Sequence, residues 1–523
     1  MRHRIGLVYL PGALPCFESF GNLPTDLVRE DGFVAGKPAS EVLDMIIIPG
    51  GSLVESQTVK DNVVREILKM ADAGKFVLGI CSGFQILSRG TDIGRLSATP
   101  IIREGLGLLD AEFKPLICTD QVKATIVGAS CLTAEVGADV TGFHCHTYGK
   151  LALHKNARPI LVSHTKRLNY HRDEQDLVSG IANKEGNVVG VIIHSLLDQN
   201  PLIIEGITKS LDISPEELGE IRAANAKLLR EIKSEVGIAT SIRSENKTAK
   251  KAETAPLLLV TALGSGSGKT FIVTGLAAAL KKKGFNVGVV KVGGDIRDVV
   301  PALYMIKEPI RNYSSIKIGE SGWKPLFDAV ADAGKDYNFL IVEGAMSAFT
   351  GLLMDKVERP SSTAEVAAAL DAPTIVVVGC EKEGIEGALA NALNYVKLMQ
   401  SLGVKIKGVI LNKMLLSYLT DEIRTVMKQA FENVGVELVG IVPRIDLEGR
   451  GAIPEIEIKY EEFGAKALEI AESYLDLDRI TALAAPARKM AIDYKAFSEK
   501  FKSSLVKDYK SNGSKGGQED KCL

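Results

Sequence analysis

The sequence has no long hydrophobic run, few aromatic residues and no closely spaced cysteine pair. Its 523 residues include one tryptophan and seven cysteines, none of them in a C-x-x-C motif. So few scattered cysteines exclude a disulfide framework and argue against a structural zinc site. No run of about 18 apolar residues is present, so we expect no helix that spans a membrane.

Charge of neither sign predominates. The 63 Lys and Arg residues nearly balance the 65 Asp and Glu residues, giving a formal net charge of −2. This balance provides no general attraction to nucleic acid or to an anionic membrane. The start of the sequence, MRHRIGLVYLPG, has too short an apolar run for a signal peptide. Reduced cysteines fit the cytoplasm, and we therefore predict a cytoplasmic protein that binds neither nucleic acid nor membrane.

Short β-branched runs alternate with amphipathic stretches along most of the chain, as in DMIIIPGG, KFVLGIC, LLLVTAL and FLIVEGA. Such runs are typical of buried parallel strands, and 523 residues are too many for one core. The pattern predicts two doubly wound α/β domains, with their sites at the carboxyl ends of strands. The expected division is a first domain, a helical segment with linker, a second domain, and a C-terminal helical segment with a tail disordered from about Lys507. The corresponding ranges are 1–210, 211–254, 255–478 and 479–523.

Cys81 stands at a strand-to-helix turn in KFVLGICSGFQILSRG. A strand is predicted directly before it, and Gly83 lies at the start of the following helix. A nucleophile on such a tight turn is typical of a nucleophile elbow, and the helix N-terminus favours the thiolate. The pattern by itself also fits a buried structural cysteine.

Two further strand ends carry groups that complement a reactive cysteine. Gly50 and Gly51 follow the strand DMIII, and their backbone N–H groups are predicted to form an oxyanion hole. His194 ends the strand GNVVGVII, and a Cys–His pair requires only that the two residues meet in space. The stretch HCHTY places His144 and His146 on one face of a strand, but two ligands do not make a metal site.

The stretches GICSGFQIL, REGLGLLDAEF, GFHCHTY and VIIHSLLD resemble the class I glutamine amidotransferase domain of cobyric acid synthase and its relatives, over residues 1–205. The resemblance implies a flavodoxin-like domain in which Cys81 attacks the glutamine amide and His194 is its base. Ser82 stands where this family usually has glycine, and His144 where it usually has glutamate. No glutamate follows two residues after His194, which matches the corrinoid branch, where the acid of the triad is missing.

A glycine-rich loop joins a strand to a helix in LLLVTALGSGSGKTFIVTGLAAAL. Glycines let the backbone wrap a phosphate, Lys269 is expected to reach the β- and γ-phosphates, and the Thr270 hydroxyl to bind Mg²⁺. Leu263 stands where the strict phosphate-loop pattern has glycine. The predicted ATP-binding residues of this loop are Gly264, Ser265, Gly266, Ser267, Gly268, Lys269 and Thr270.

Charged residues follow two later strands of this half. Glu343 ends the very apolar run FLIV, where a carboxylate is costly to bury unless a cation satisfies it. We therefore predict that Glu343 binds Mg²⁺ together with Thr270. In KVGGDIRDVVP, Asp295 is predicted as a further metal ligand, and Lys291 and Asp298 as substrate contacts. The two aspartates also fit simple turn positions.

The stretches KVGGDIRD, VEGAM, SSTAEVAAALDAPTIVVV, GVILNKM and VGIVPR resemble the ATP-dependent domain of cobyrinic acid a,c-diamide synthase, a dethiobiotin synthetase-like P-loop NTPase, over residues 255–478. The resemblance implies that Asn412 helps to recognise the nucleotide base. Gly294 replaces a proline that is usual in this family, Cys380 stands where an aspartate is usual, and GRGAIPE replaces a His-Leu-Gly-Leu stretch. In the known corrinoid enzymes the ATP-dependent domain comes first, whereas here the order is reversed.

The two halves together predict a glutamine-hydrolysing, ATP- and Mg²⁺-dependent ligase that amidates carboxylates of a tetrapyrrole, as in cobalamin biosynthesis. Two alternatives remain at this point. One is a dethiobiotin synthetase-like ligase without amidotransfer, and the other a nonenzymatic, nucleotide-regulated partner protein. The sequence leaves open the acceptor, the number of amidations and whether the protein is a homo-oligomer.

Overall fold

The computed structural model describes residues 2–9, 18–56, 59–133, 135–235, 255–354, 358–445 and 459–511. Its tertiary contacts divide the chain into two compact units. The first comprises Met1–Arg243, Asp295–Arg311 and Leu447–Lys466, and the second comprises Ser244–Gly294, Asn312–Asp446 and Ala467–Leu523. Most of the predicted linker, the GRGAIPE stretch and the end of the tail lie outside the described residues.

The chain up to residue 235 forms mostly strands and short helices. The strands are β1 (Ile5–Val8), β2 (Asp26–Val28), β3 (Phe33–Val34), β4 (Lys37–Pro38), β5 (Met45–Ile48), β6 (Phe76–Ile80), β7 (Gly90–Asp92), β8 (Ile102–Glu104), β9 (Ala111–Lys114), β10 (Gln121–Ile126), β11 (Asp139–Phe143), β12 (Lys150–Leu153), β13 (Arg158–Leu168), β14 (His171–Ala182) and β15 (Val188–Val191). The helices are α1 (Ala39–Val42), α2 (Leu53–Ser56), α3 (Asp61–Asp72), α4 (Ser82–Leu87), α5 (Leu196–Gln199), α6 (Pro201–Ser210) and α7 (Pro215–Glu235).

The first unit is built on a nine-stranded sheet in the order β11-β10-β13-β14-β15-β6-β5-β1-β2. The five strands from β15 to β2 pair in parallel, and the others extend the sheet in antiparallel fashion. Strands β5 and β6 are almost wholly buried, which agrees with their continuous apolar sequences MIII and FVLGI. A second sheet has the order β12-β9-β7-β8, and β3 pairs with β4.

The rest of the chain alternates strands and longer helices. The strands are β16 (Pro256–Ala262), β17 (Val287–Val292), β18 (Ser315–Ile316), β19 (Phe339–Glu343), β20 (Thr374–Gly379), β21 (Ile406–Met414), β22 (Glu437–Pro443) and β23 (Ala485–Pro486). The helices are α8 (Lys269–Lys282), α9 (Val300–Ile306), α10 (Leu326–Asp336), α11 (Thr363–Ala369), α12 (Gly384–Ser401), α13 (Asp421–Glu432), α14 (Tyr460–Tyr474), α15 (Leu477–Leu483) and α16 (Tyr494–Ser511). Short 3-10 turns form at Phe20–Asn22, Ile296–Val299 and Leu416–Tyr418.

The second unit is built on a parallel sheet in the order β18-β17-β19-β16-β20-β21-β22, to which β23 adds an antiparallel pairing with β16. Strand β16 lies at its centre, so the loop after β16 opens at the middle of the carboxyl edge. Both units are thus α/β, and the predicted fold class is confirmed. Among the described helices, none is long and apolar enough to cross a bilayer.

Two features depart from the expected division of the chain. The segment Asp295–Arg311 makes its contacts with the first unit, although its sequence falls within the predicted second domain. Helix α16 continues to Ser511, so the first residues of the tail expected from about Lys507 are helical, and the rest of that tail lies outside the described residues. Aromatic residues on α16 are buried in the second unit, which explains why its polar sequence is ordered. The boundaries at 210, 254 and 478 stay a prediction.

Candidate active sites

The ends of three neighbouring parallel strands bring Cys81, Gly50 and His194 together. Strand β6 pairs with β15 on one side and with β5 on the other. Each of the three residues follows one of these strands by no more than a turn. The Cys81 N–H also donates a hydrogen bond to the Val191 carbonyl at 2.8 Å. Register between parallel strands therefore assembles this site at the carboxyl edge of the sheet.

The backbone of Cys81 has the conformation expected of a nucleophile elbow. Its φ of 51° and ψ of −111° are rare for a residue with a side chain and store strain. A Cβ on Gly83 would lie 2.1 Å from the Ile48 carbonyl oxygen, so only glycine fits there. The Ser82 hydroxyl donates to the Gly51 carbonyl at 2.7 Å. Serine at this position therefore ties the elbow to the loop after β5.

His194 is buried, and the charge of Cys81 acts on its pKa. The Gly50 backbone lies against both residues, because a Cβ on Gly50 would be 2.6 Å from His194 Cε1 and 3.3 Å from Cys81 Cβ. The His194 ring also stacks on Phe143, with ring centroids 5.3 Å apart. The predicted nucleophile, base and glycine loop are thus in contact, while their chemical roles stay predictions.

Glu18 is a member of this cluster that the sequence did not reveal. The Oε1 atom of Glu18 lies 2.8 Å from Nδ1 of His194, and each side chain is only 1% exposed. Burial lowers the pKa of His194, but the charges and hydrogen bonds of Cys81 and Glu18 outweigh burial and raise this pKa to about 10. The one signal in the sequence is an isolated acid within the apolar stretch ALPCFESF.

His144 and His146 form a hydrogen-bonded pair in the same unit. Nδ1 of His144 and Nε2 of His146 are 2.6 Å apart, and their other ring nitrogens contact Ser163 Oγ and the Leu116 carbonyl at 3.0 and 3.1 Å. Cys118 completes a buried group whose ligand atoms lie within 4.8 Å of one another. Two nitrogens on one tetrahedral zinc would be about 3.3 Å apart, so this pair is too close to share an ion as it stands. Burial lowers the pKa of both rings, and that of His146 to about 3.

The glycine-rich loop lies between β16 and α8. Gly266 and Gly268 have φ angles of 80° and 81°, in the left-handed region that favours glycine. A Cβ on Gly268 would lie 2.2 Å from the Asn412 Nδ2 atom, which donates to the Ser267 carbonyl at 2.9 Å. Asn412 therefore supports the loop, and its part in base recognition stays a prediction.

The predicted metal residues Thr270 and Glu343 meet beside this loop. The fully buried Glu343 accepts hydrogen bonds from the Lys269 ammonium and from the Thr270 hydroxyl, the latter at 2.8 Å. The Lys291 ammonium lies 3.8 Å from the same carboxylate oxygen and donates to the Gly344 carbonyl at 2.8 Å. Carboxylate and hydroxyl oxygens fit Mg²⁺. Lys291, predicted to contact substrate, is 2% exposed and belongs to this buried cluster.

Asp295 is held by a neighbouring arginine in the first unit. Nε and Nη2 of Arg297 donate to its two carboxylate oxygens at 2.8 and 2.7 Å. Arg297 also donates to Thr147 Oγ1 and Tyr170 Oη, at 2.7 and 2.6 Å. Asp298 lies with Arg297 in the 3-10 turn Ile296–Val299. The metal role of Asp295 and the substrate role of Asp298 stay predictions.

The SSTAEV motif fixes the loop that follows Glu343. The buried carboxylate of Glu365 accepts hydrogen bonds from the Ser361 N–H and from the hydroxyls of Ser361 and Ser362, at 2.8, 2.9 and 2.9 Å. Thr363 Oγ1 accepts from the Ala345 N–H at 2.9 Å. The motif is thus a capping arrangement at the start of α11, which positions the end of β19.

Two family models match the chain, one for each half. The CobB/CobQ-like glutamine amidotransferase domain matches residues 13–202, and the CobQ/CobB/MinD/ParA nucleotide binding domain matches residues 258–450. The protein therefore joins an amidotransferase domain to a nucleotide-binding domain. The predicted resemblance to corrinoid amidotransferases with reversed domain order is confirmed.

Curated relatives match parts of the chain. Cobyrinate a,c-diamide synthase of Methanocaldococcus jannaschii is 31% identical over 239 residues, which are 43% of this chain and 50% of that protein. Hydrogenobyrinate a,c-diamide synthase of Mycobacterium bovis is 35% identical over 187 residues, 35% of this chain and 39% of that protein. Cobyric acid synthase of Thermoanaerobacter sp. is 32% identical over 186 residues, 33% and 36% of the two chains. The chain thus spans half or less of the length of these relatives.

Proposed function

We propose that the protein is an ATP-dependent amidotransferase that moves ammonia from glutamine to a carboxylate of a tetrapyrrole. One observation supports this most strongly. A strained cysteine turn beside a buried histidine occurs on the same chain as a phosphate loop whose lysine and threonine meet a buried carboxylate. The names of the relatives support a corrin-type acceptor.

The first half of the reaction is glutamine hydrolysis. The thiolate of Cys81 attacks the side-chain amide carbon, and the Gly50 and Gly51 N–H groups stabilise the oxyanion. His194, which carries the thiol proton, gives it to the leaving nitrogen, and ammonia departs. Water then attacks the glutamyl thioester, which releases glutamate and restores the thiol.

The second half activates the acceptor. Its carboxylate oxygen attacks the γ-phosphorus of ATP, ADP leaves, and ammonia displaces phosphate from the resulting acyl phosphate to form the amide. Lys269 binds the β- and γ-phosphates, and Thr270 and Glu343 are the residues that would hold Mg²⁺. When bound, the ion neutralises phosphate charge as the terminal bond breaks. Lys269 must leave Glu343 to reach the phosphates.

Mass spectrometry of reaction products tests this proposal. The protein is incubated with glutamine, ATP, Mg²⁺ and a panel of tetrapyrrole acids, and each amidation replaces one hydroxyl group by an amino group in the product mass. Glutamate and ADP should form in step with amide. The dethiobiotin synthetase-like alternative predicts ATP turnover without glutamine hydrolysis, and a nonenzymatic partner protein predicts neither. Absence of glutamine hydrolysis with every acid would overturn the amidotransferase assignment.

A further inference from the structure

The carboxylate of Glu18 contacts one of the two ring nitrogens of His194. Nδ1 of His194 is the nitrogen that Glu18 engages, at 2.8 Å. Nε2 is then the nitrogen left to exchange a proton with Cys81, and both Nε2 and the Cys81 Cβ lie beside Gly50. A thiol or hydroxyl, an imidazole and a carboxylate in this order form a catalytic triad, in which the carboxylate fixes the tautomer and orientation of the imidazole.

An acid near His194 in sequence holds the segment that carries Glu18. Asp198, on α5, accepts hydrogen bonds from the Ser19 N–H at 2.7 Å and from the Gly21 N–H at 2.8 Å. Each of its two carboxylate oxygens is therefore bound to the backbone of the turn that follows Glu18. Asp198 thus anchors the position of Glu18.

The turn itself is strained and closely packed. Phe20, Gly21 and Asn22 all have left-handed backbones, with φ of 51°, 66° and 57°. A Cβ on Gly21 would lie 2.2 Å from Ile204 Cδ1, and the Phe20 side chain is buried. Left-handed non-glycine residues persist only where their surroundings over-determine them, and they cluster at functional sites.

The charges of Glu18 and Cys81 both act on His194. Burial, and to a smaller extent the charge of Asp198, raises the pKa of Glu18, and the hydrogen bond and charge of His194 lower it by less. The carboxylate and Cys81 in turn raise the pKa of His194 above its ordinary value. His144 and His146 also face His194, but burial lowers their pKa values, so they are neutral at pH 7. The negative partners of the His194 imidazolium are therefore Cys81 and Glu18.

We infer that Glu18 is the positioning residue of a Cys81–His194–Glu18 triad. It holds Nε2 of His194 toward the thiol and stabilises the protonated imidazole that delivers a proton to the leaving amide nitrogen. The inference rests on the proposed glutamine hydrolysis. It places the acid 176 residues before the histidine, whereas many class I amidotransferases carry it two residues after.

Charge removal at Glu18 tests the inference. Glu18→Gln should lower kcat for glutamine hydrolysis about 100-fold with little change in KM, because orientation and proton transfer are lost. The alkaline limb of its pH profile should move down by about 1 to 3 units, because His194 loses a facing negative charge. Glu18→Asp should recover part of the rate. Glu66→Gln, which removes a buried carboxylate bound to Ser40 and Lys69 in the same unit, should match wild type.

Alkylation of Cys81 separates this inference from the proposed function, because it requires no glutamine turnover. Iodoacetamide labelling of the Cys81 peptide is measured against pH by mass spectrometry, with circular dichroism as the check on folding. The labelling midpoint should move to higher pH in Glu18→Gln, because the imidazolium that stabilises the thiolate is weakened. This shift without wild-type glutamine hydrolysis would support the triad while removing the proposed function. Equal midpoints and equal pH profiles in Glu18→Gln and wild type, or the same changes in Glu66→Gln, would overturn the triad.

Discussion

The Ser82 hydroxyl donates a hydrogen bond to the Gly51 carbonyl at 2.7 Å and so joins the turn after β6 to the loop after β5. The sequence presents the nucleophile turn and the glycine loop as separate features. In the structure this hydrogen bond joins the two features, and His194 lies beside Gly50 of the glycine loop. Small shifts in either loop should therefore affect glutamine hydrolysis while leaving nucleotide turnover intact.

Replacing Cys81 should separate the two half-reactions. Cys81→Ala is expected to abolish glutamine-dependent amidation and to retain amidation with added ammonium salt, because the acceptor chemistry does not use the thiol. Product amide is measured with each nitrogen source. Cys131→Ala, which removes another buried free cysteine of the same unit, is the matched control and should behave as wild type. Glutamine-dependent activity in Cys81→Ala would show that another residue is the nucleophile.

A methyl group at position 50 should impair glutamine hydrolysis without affecting ATP turnover. Gly50→Ala places a carbon 2.6 Å from His194 Cε1, so the imidazole or the loop must shift. We expect a fall in kcat for glutamine hydrolysis of about 100-fold, as for a lost oxyanion contact, with ATP turnover on ammonium salt unchanged. Gly219→Ala is the control, because nothing lies within 4 Å of its added Cβ. Equal kcat for glutamine hydrolysis in Gly50→Ala and Gly219→Ala would contradict the close contact between Gly50 and His194.

Loss of the loop lysine should abolish nucleotide turnover. Lys269→Ala removes the ammonium that is expected to bind the phosphates and leaves Glu343 with fewer partners. ADP release should fall to background, while glutamine hydrolysis measured without ATP is retained. Lys282→Ala, on the same helix but 52% exposed and paired with Glu472, should leave ADP release unchanged. Normal ADP release in Lys269→Ala would rule out the phosphate-loop assignment.

Glu343 should set the magnesium requirement. Glu343→Gln keeps the side-chain shape but removes the charge that would hold the ion with Thr270. The Mg²⁺ concentration for half-maximal ATP turnover should rise at least about tenfold. Glu472→Gln removes a carboxylate of the same unit that is 38% exposed, and should leave the requirement unchanged. An unaltered Mg²⁺ dependence in Glu343→Gln would assign the ion to other ligands.

His194 should make the stability of the protein depend on pH in the alkaline range. Its pKa rises from an ordinary 6.5 to about 10 on folding. A raised pKa stabilises the folded state fully below 6.5, and this contribution is lost as pH rises through about 10. Denaturant unfolding of wild type should therefore show stability falling across this interval, and His194→Gln should reduce the slope. Identical slopes would show that the histidine is not charged in the folded protein.

Local sequence was sufficient to predict the features whose residues are consecutive in the chain. The strand, Cys81 and helix of the elbow are consecutive, and so are the strand, glycine loop and helix that contain Lys269. Strand-forming runs and their spacing also sufficed for the α/β class, because each element is specified by its own residues. Strand-end positions indicated His194 and Glu343, because sites form at the carboxyl ends of strands, and family resemblance added Asn412.

Residues far apart in sequence escaped these arguments. Lys291, predicted to contact substrate, is buried with Glu343, because β17 and β19 pair in register within the sheet. That contact depends on which neighbour the sheet supplies and not on the identity of the residue. The roles predicted for Lys291 and Asp295 stay predictions.

The amino-acid sequence by itself determined the two α/β domains, the nucleophile turn at Cys81 and the phosphate loop at Lys269, because these follow from local pattern and backbone chemistry. Only the tertiary structure decided that Ser82 ties together two loops and that Glu18 supplies the carboxylate facing His194. Strand register brings the histidine to the cysteine, and a strained turn held by Asp198 brings the acid. Such contacts are set by the packing of distant segments, which no local pattern records.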